Sequence, residues 1–206
     1  MTTLIIARHG NTFSKGETPT RVGAHTDLPL VEKGEEQARS IGRYLKENRL
    51  IPDTVYTSKL QRTIQTAKIA IKESGVTNPI FELDIFNEVD YGPDENKPED
   101  EVIARIGEQA IKDWDEHGIA PDGWAVNPDD IIKNWHQFAD QICAFDDNET
   151  TLVVTSNGVA RFAPYITGDF EGFRAAHNIK LSTGALAILK HDPENGWRVE
   201  EWNVRP

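Results

Sequence analysis

Apolar positions in this chain fall into short runs separated by amphipathic stretches. The first run, Leu4-Ile5-Ile6-Ala7, ends abruptly in Arg8-His9-Gly10. A continuous apolar run of this length predicts a strand over 3–8, buried on both faces. Residues 33–48 carry Ala38, Ile41 and Leu45 at helical spacing and predict a helix. "TVYTS" (54–58) predicts a short strand, after which Ser58 is placed to cap a helix over 59–73. The apolar stripe of that helix is Leu60, Ile64, Ala67 and Ile71. "IFELDIF" (80–86) predicts another strand.

The pattern changes over 87–128. This stretch is acidic, holds four of the eleven prolines (Pro93, Pro98, Pro121 and Pro128) and shows one helix near 100–116. It reads as an insertion into a single domain spanning 1–206. A helix follows at 129–145, with Ile131, Ile132, Trp135, Phe138, Ala139 and Ile142 on its apolar face. "TLVVTS" (151–156) predicts a buried strand, and a helix starts in "NGVARF". Residues 184–191 and 196–204 predict a closing hairpin with Asn195-Gly196 in the turn. Strands alternating with helices predict a three-layer α/β/α fold around a mostly parallel sheet. Such sheets bind ligands beyond the carboxyl ends of their strands. Arg8-His9-Gly10, Thr57-Ser58 and Ser156-Asn157-Gly158 all fall at such ends.

A length of 206 residues suits one domain. No run of about 18 apolar residues is present, so no membrane span is expected. The apolar run after Met1 is too short, and lacks the basic start, for a signal peptide. The single cysteine, Cys143, excludes an internal disulfide. Together these point to the cytoplasm. The net charge is −12, from 22 basic and 34 acidic residues. That surface repels nucleic acid and anionic membranes, so neither is an expected partner. A site for a small anion must therefore gather its arginines locally.

Candidate chemistry starts at Arg8-His9-Gly10-Asn11-Thr12. Arginine presents a planar fork of donors that fits phosphate oxygens. A neutral imidazole is a nucleophile, and glycine lets an anion approach the backbone. The plain alternative is a strand end and turn with a satisfied histidine. Arg62 lies two residues after Leu60, about 200° around the helix from the apolar stripe and near the helix N-terminus, which favours anions. Its plain alternative is a solvent-facing arginine. Glu88, in "FNEVDYG", can protonate a leaving oxygen if it is buried. Trp114 and Trp124 either line a pocket mouth or form a small satellite core, which is the default reading.

"LIIARHGNT", "TDLPLVEKGEEQA", "YTSKLQRTIQTA" and "NEVDYG", then "TLVVTSNGVAR" and "LSTGALAIL", resemble the histidine phosphatase superfamily, the phosphoglycerate-mutase-like fold. The resemblance covers residues 3 to about 92 and resumes at 151. It implies that His9 is a nucleophile forming phosphohistidine and that Arg8 and Arg62 clamp the phosphoryl oxygens. Glu88 would donate the proton to the leaving alcohol, with Asp90 as its less favoured substitute. Asn11 would add a donor and Arg21 a substrate contact. Neither cofactor nor metal is implied, and the His25/Asp27 and His191/Asp192 pairs lack a third ligand.

The family pocket carries a second histidine in a "THGG"-like turn. Here Ser156 stands at that position and Asn157 at the following glycine, while Gly158 is retained. Ser156 and Asn157 offer hydrogen bonds to a phosphate but no cation. Losing one charge-assisted hydrogen bond, worth about 1.5–3 kcal/mol, slows a reaction roughly 10- to 150-fold. His177 is the nearest candidate substitute in sequence. The expected function is hydrolysis of a small phosphomonoester through His9, attenuated by Ser156. The alternatives are a phosphate-binding protein without turnover and, less favoured, a phosphoglycerate mutase, since family mutases carry longer chains. A small phosphorylated substrate is the expected partner; the oligomeric state is left open.

Overall fold

The structure, a computed structural model, describes residues 1–145 and 148–206. Strand β1 (Thr2–Arg8) leads to helix α1 (Glu32–Glu47), β2 (Thr54–Thr57), α2 (Gln61–Ser74) and β3 (Ile80–Glu82). Three helices follow, α3 (Glu99–Ile106), α4 (Glu108–His117) and α5 (Pro128–Phe145). The chain closes with β4 (Thr150–Thr155), α6 (Asn157–Ala160), α7 (Phe170–Ala176), β5 (Leu186–Asp192) and β6 (Gly196–Val204). The sheet order is β3-β2-β4-β1-β5-β6. The first four strands run parallel, and β5 and β6 are antiparallel additions.

Alternation along β1 sends its side chains to two different layers. Ile5 and Ala7 pack with Ile41, Leu45, Ala67 and Ala70 of α1 and α2. Leu4 and Ile6 share the opposite core with Trp135, Phe138 and Ile142 of α5. The three-layer α/β/α architecture follows, with the fully buried β1 and β4 at its centre. Among the described residues, no helix is long and apolar enough to cross a membrane.

Three local expectations change. Ser58 does not cap α2, which begins at Gln61 after an extended Leu60. Asp27 takes the capping role from a distant loop, its Oδ1 accepting from Gln61 N at 2.8 Å. The strand expected over 80–86 stops at Glu82. Asp84–Phe86 instead forms a 3-10 turn that drives Phe86 into the core against Trp135 and Phe138. The single helix expected near 100–116 is two, broken at Gly107 with φ +86°.

The turn after β1 lies directly on the N-terminal turn of α1. A Cβ on Gly10 would sit 2.3 Å from Gly34 O, and a Cβ on Gly34 would sit 2.2 Å from Asn11 O. Both obstacles are backbone, so no rotamer change relieves them. Gly34→Ala should therefore destabilise the fold by about 1–3 kcal/mol. For a chain of this size that is a fall in melting temperature of roughly 2–12 °C, checked by calorimetry.

Candidate active site

A cavity of about 710 Å³ opens beyond the carboxyl ends of β1 and β4. Arg8, His9, Asn11, Arg21, Glu88, Asn157 and Arg161 all line it. His9 prolongs β1, its backbone N–H donating to Thr155 O of β4 at 3.1 Å. The imidazole is 6% exposed. Its Nδ1 lies 2.8 Å from Gly10 O. A carbonyl can only accept, so Nδ1 carries the hydrogen and Nε2 is left with its lone pair. Arg62 Nε donates toward that Nε2 at 3.3 Å. Burial, then Arg62, then Arg8, hold the His9 pKa well below its ordinary value of 6.5. The imidazole is therefore neutral at physiological pH and can act as a nucleophile through Nε2.

Arg62 is fully buried. Its side chain does leave the aliphatic face of α2, but the loop after β1 covers it, so the solvent-facing alternative fails. Nη1 donates to Thr26 O at 2.8 Å and Nη2 to Gly23 O at 3.2 Å. The loop is itself pinned by Glu95, whose Oε1 accepts from Gly23 N, His25 N and Thr26 Oγ1. Arg8 donates from Nη1 to Leu181 O at 2.7 Å. Asn157 Oδ1 accepts from the N–H of the same residue at 2.9 Å, so Leu181 orients both side chains.

Glu88 is buried at 6% exposure. Oε1 accepts from Val89 N at 2.9 Å and Oε2 from Gly158 N at 3.3 Å. A Cβ on Gly158 would lie 2.2 Å from Glu88 Oε1, so this glycine makes room for the carboxylate. Asn11 is fixed through its backbone N–H, which donates to Gln37 Oε1 at 2.8 Å. Arg21 donates to Glu99 at 2.6 Å and lies about 5 Å from the ring centroids of Tyr91 and Trp124.

Not every expected residue reaches the cavity: Arg62 is held against His9 Nε2 and does not itself line it. Ser156 is fully buried and does not line it, and among the described residues its Oγ has no hydrogen-bond partner. Asp90 binds Gly92 N and pairs with His25 outside the cavity. His177 stacks on Phe173 in a separate surface depression. Asp27 is occupied at the start of α2. Trp114 belongs to both earlier readings, being 1% exposed in the core and lining the cavity. Trp124 packs edge-on against Trp114 behind the wall. Arg161 is a cavity residue with no sequence expectation attached. It stands four residues after Asn157, and that helical step carries its guanidinium Nε back to Asn157 O at 3.2 Å.

The chain belongs to the histidine phosphatase superfamily (branch 1), whose sequence profile matches residues 4–205. A 2,3-bisphosphoglycerate-dependent phosphoglycerate mutase of Tropheryma whipplei is 36% identical over 115 residues, which are 55% of this chain and 51% of that protein. The match thus spans about half the length of that mutase. The corresponding enzyme of Bartonella quintana is 29% identical over 76% of each chain. Among solved structures, a mycobacterial glucosyl-3-phosphoglycerate phosphatase superposes with a TM-score of 0.79 at 18% identity, covering 99% of both chains. A phosphoserine phosphatase of Entamoeba histolytica does so at 0.75 and 20% identity, covering 99% of this chain and 98% of that one. At these identities the superpositions establish the fold, which is phosphoglycerate-mutase-like.

The depressed pKa of His9 has a signed consequence. Below pH 6.5 the unfolded chain binds a proton at this residue that the folded chain refuses, so stability falls as pH drops. The effect is absent above pH 6.5 and grows downward toward the folded pKa. Nitrogen-15 NMR should show His9 neutral and protonated on Nδ1 at pH 6. Denaturant unfolding of His9→Asn should lose stability less steeply than wild type between about pH 6.5 and 5.

Proposed function

We propose that this protein is a phosphatase that hydrolyses a small phosphomonoester through a phosphohistidine at His9. The observation that carries this reading is the neutral His9, its Nε2 lone pair beside Arg62, in a cavity that also holds Arg8 and Glu88. The phosphoryl group would lie against Arg8 and Arg62, with Asn11 and the Asn157 amide as further donors. Nε2 attacks phosphorus in line with the ester oxygen. As the P–O bond breaks, the leaving alkoxide takes the proton of the Glu88 carboxyl group. Glu88, now a carboxylate, removes a proton from water, and the water attacks the phosphohistidine. Inorganic phosphate leaves and both His9 and Glu88 return to their starting states. Such transfer is mainly positioning and charge stabilisation.

The phosphoglycerate mutase and glucosyl-3-phosphoglycerate phosphatase that this chain resembles make phosphorylated glycerates the first natural substrates to test. Ser156 favours a second reading, a phosphate-binding protein without turnover, because neither it nor Asn157 brings a cation. Steady-state hydrolysis of an aryl phosphate between pH 5 and 8 separates the two. As a phosphatase, wild type should lose at least ~100-fold in kcat on His9→Ala and gain on Ser156→His. Equal background in all three proteins would leave the binding reading. Gly158→Ala should displace the Glu88 carboxylate and lower kcat about 10- to 100-fold, with KM nearly unchanged.

A further inference from the structure

Arg161 is 1% exposed and lines the same cavity as Arg8, His9 and Glu88. Its guanidinium is rigidly placed. Nε donates to Asn157 O and Nη1 to Trp114 O. The Trp114 ring centroid lies 4.2 Å from the guanidinium carbon. Nη2 has no hydrogen bond among the described residues. Nor is it one of the sealed, unpartnered buried atoms, so it keeps some exposure in a residue that lines the cavity. Its nearest carboxylate oxygen, Asp115 Oδ1, is 3.9 Å away, and the other oxygen of Asp115 is held by Lys180 Nζ at 2.8 Å.

A buried cation whose direct acceptors are neutral carbonyls, and whose nearest carboxylate oxygen is 3.9 Å away, is costly unless an anion comes closer. Burial is the largest influence on Arg161; Tyr91, Asp115 and Glu88 offset part of its cost, and the positive charge of Arg8 adds to it. An anion between Arg8 and Arg161 relieves both.

We infer that Arg161 is a third anion-gripping guanidinium of this pocket, its Nη2 donating to an oxygen of the bound ligand. This rests on the reading of the cavity as a phosphate site. The oxygen belongs either to the phosphoryl group or to a second anionic group on the leaving alcohol. In both cases Arg161 restores a positive charge that Ser156 does not supply. A merely structural Arg161 would tie Trp114 to Asn157 and do nothing more.

The test is calorimetric titration with inorganic phosphate of wild type, R161K, R161M and D115N. Beside it, kcat/KM is measured for phenyl phosphate and 4-carboxyphenyl phosphate. R161M should weaken phosphate binding at least ~10-fold, and R161K, which keeps the charge, by less than about 5-fold. D115N, which removes the competing carboxylate, should tighten it about 2- to 5-fold. If R161M instead keeps phosphate affinity but loses about 10-fold in preference for the carboxylated ester, the gripped anion is on the leaving group and the inference stands. It is overturned if phosphate affinity and ester preference in R161M stay within about 2-fold of wild type, or if R161K and R161M lose equally. Should R161M fail to fold, unchanged or weaker phosphate binding by D115N overturns it alone. His9→Ala separates the two readings. Turnover independent of His9, with phosphate binding still sensitive to R161M, removes the hydrolase and leaves the grip. No phosphate binding by wild type removes both.

Discussion

The 3.3 Å contact between Arg62 Nε and His9 Nε2 is the interaction on which the site depends. A guanidinium cannot surrender its proton, so the nitrogen facing it must present a lone pair. That constraint agrees with the Gly10 carbonyl at Nδ1 in selecting the tautomer of His9, and it adds to burial in keeping the ring neutral. It also binds together three parts of the chain. Arg62 comes from α2, His9 from the end of β1, and the carbonyls of Gly23 and Thr26 that hold Arg62 come from the loop between them. Thr66 of the same helix accepts from Gly10 N at 3.1 Å and fixes the turn beyond His9. Loss of Arg62 would strand two carbonyls and remove the second of the three influences, after burial, that hold the His9 pKa down.

Arg62 and Arg161 are buried, and Arg8 half-buried, in a chain of net charge −12. Burial pulls the pKa of each below its ordinary value. Their direct acceptors are mostly neutral main-chain carbonyls, those of Leu181, Thr26, Gly23, Asn157 and Trp114. A carbonyl fixes a guanidinium without cancelling its charge. The guanidinium charges are therefore fixed in place by the fold and not cancelled by their direct acceptors. Arg21 differs, since Glu99 neutralises it at the rim.

What was legible in the sequence followed from periodicity and from contiguous motifs. The apolar run of β1 and the stripes of α1, α2 and α5 each specified an element to within a few residues. Arg8, His9 and Gly10 were readable because one strand end delivers all three. The misreadings arose where a distant residue decided the local outcome. Asp27, not Ser58, caps α2, and no local pattern announces a cap from a loop more than thirty residues upstream. Phe86 leaves its strand because a core on another layer claims it. The burial of Arg62 depends on a covering loop that helical geometry alone does not reveal. Arg161 was illegible because its place depends on Trp114 O, from a separate segment, as well as on Asn157 O one turn back.

Glu95 carries a consequence for how this pocket can diverge. One carboxylate of the 87–128 segment organises the loop that in turn holds Arg62. The part of the chain with the least regular sequence is thus wired to the loop that holds Arg62 beside His9. A chimera that imported this segment from a relative would need an equivalent acceptor at position 95. Without it, a graft aimed at substrate choice would instead loosen the cradle beneath the imidazole.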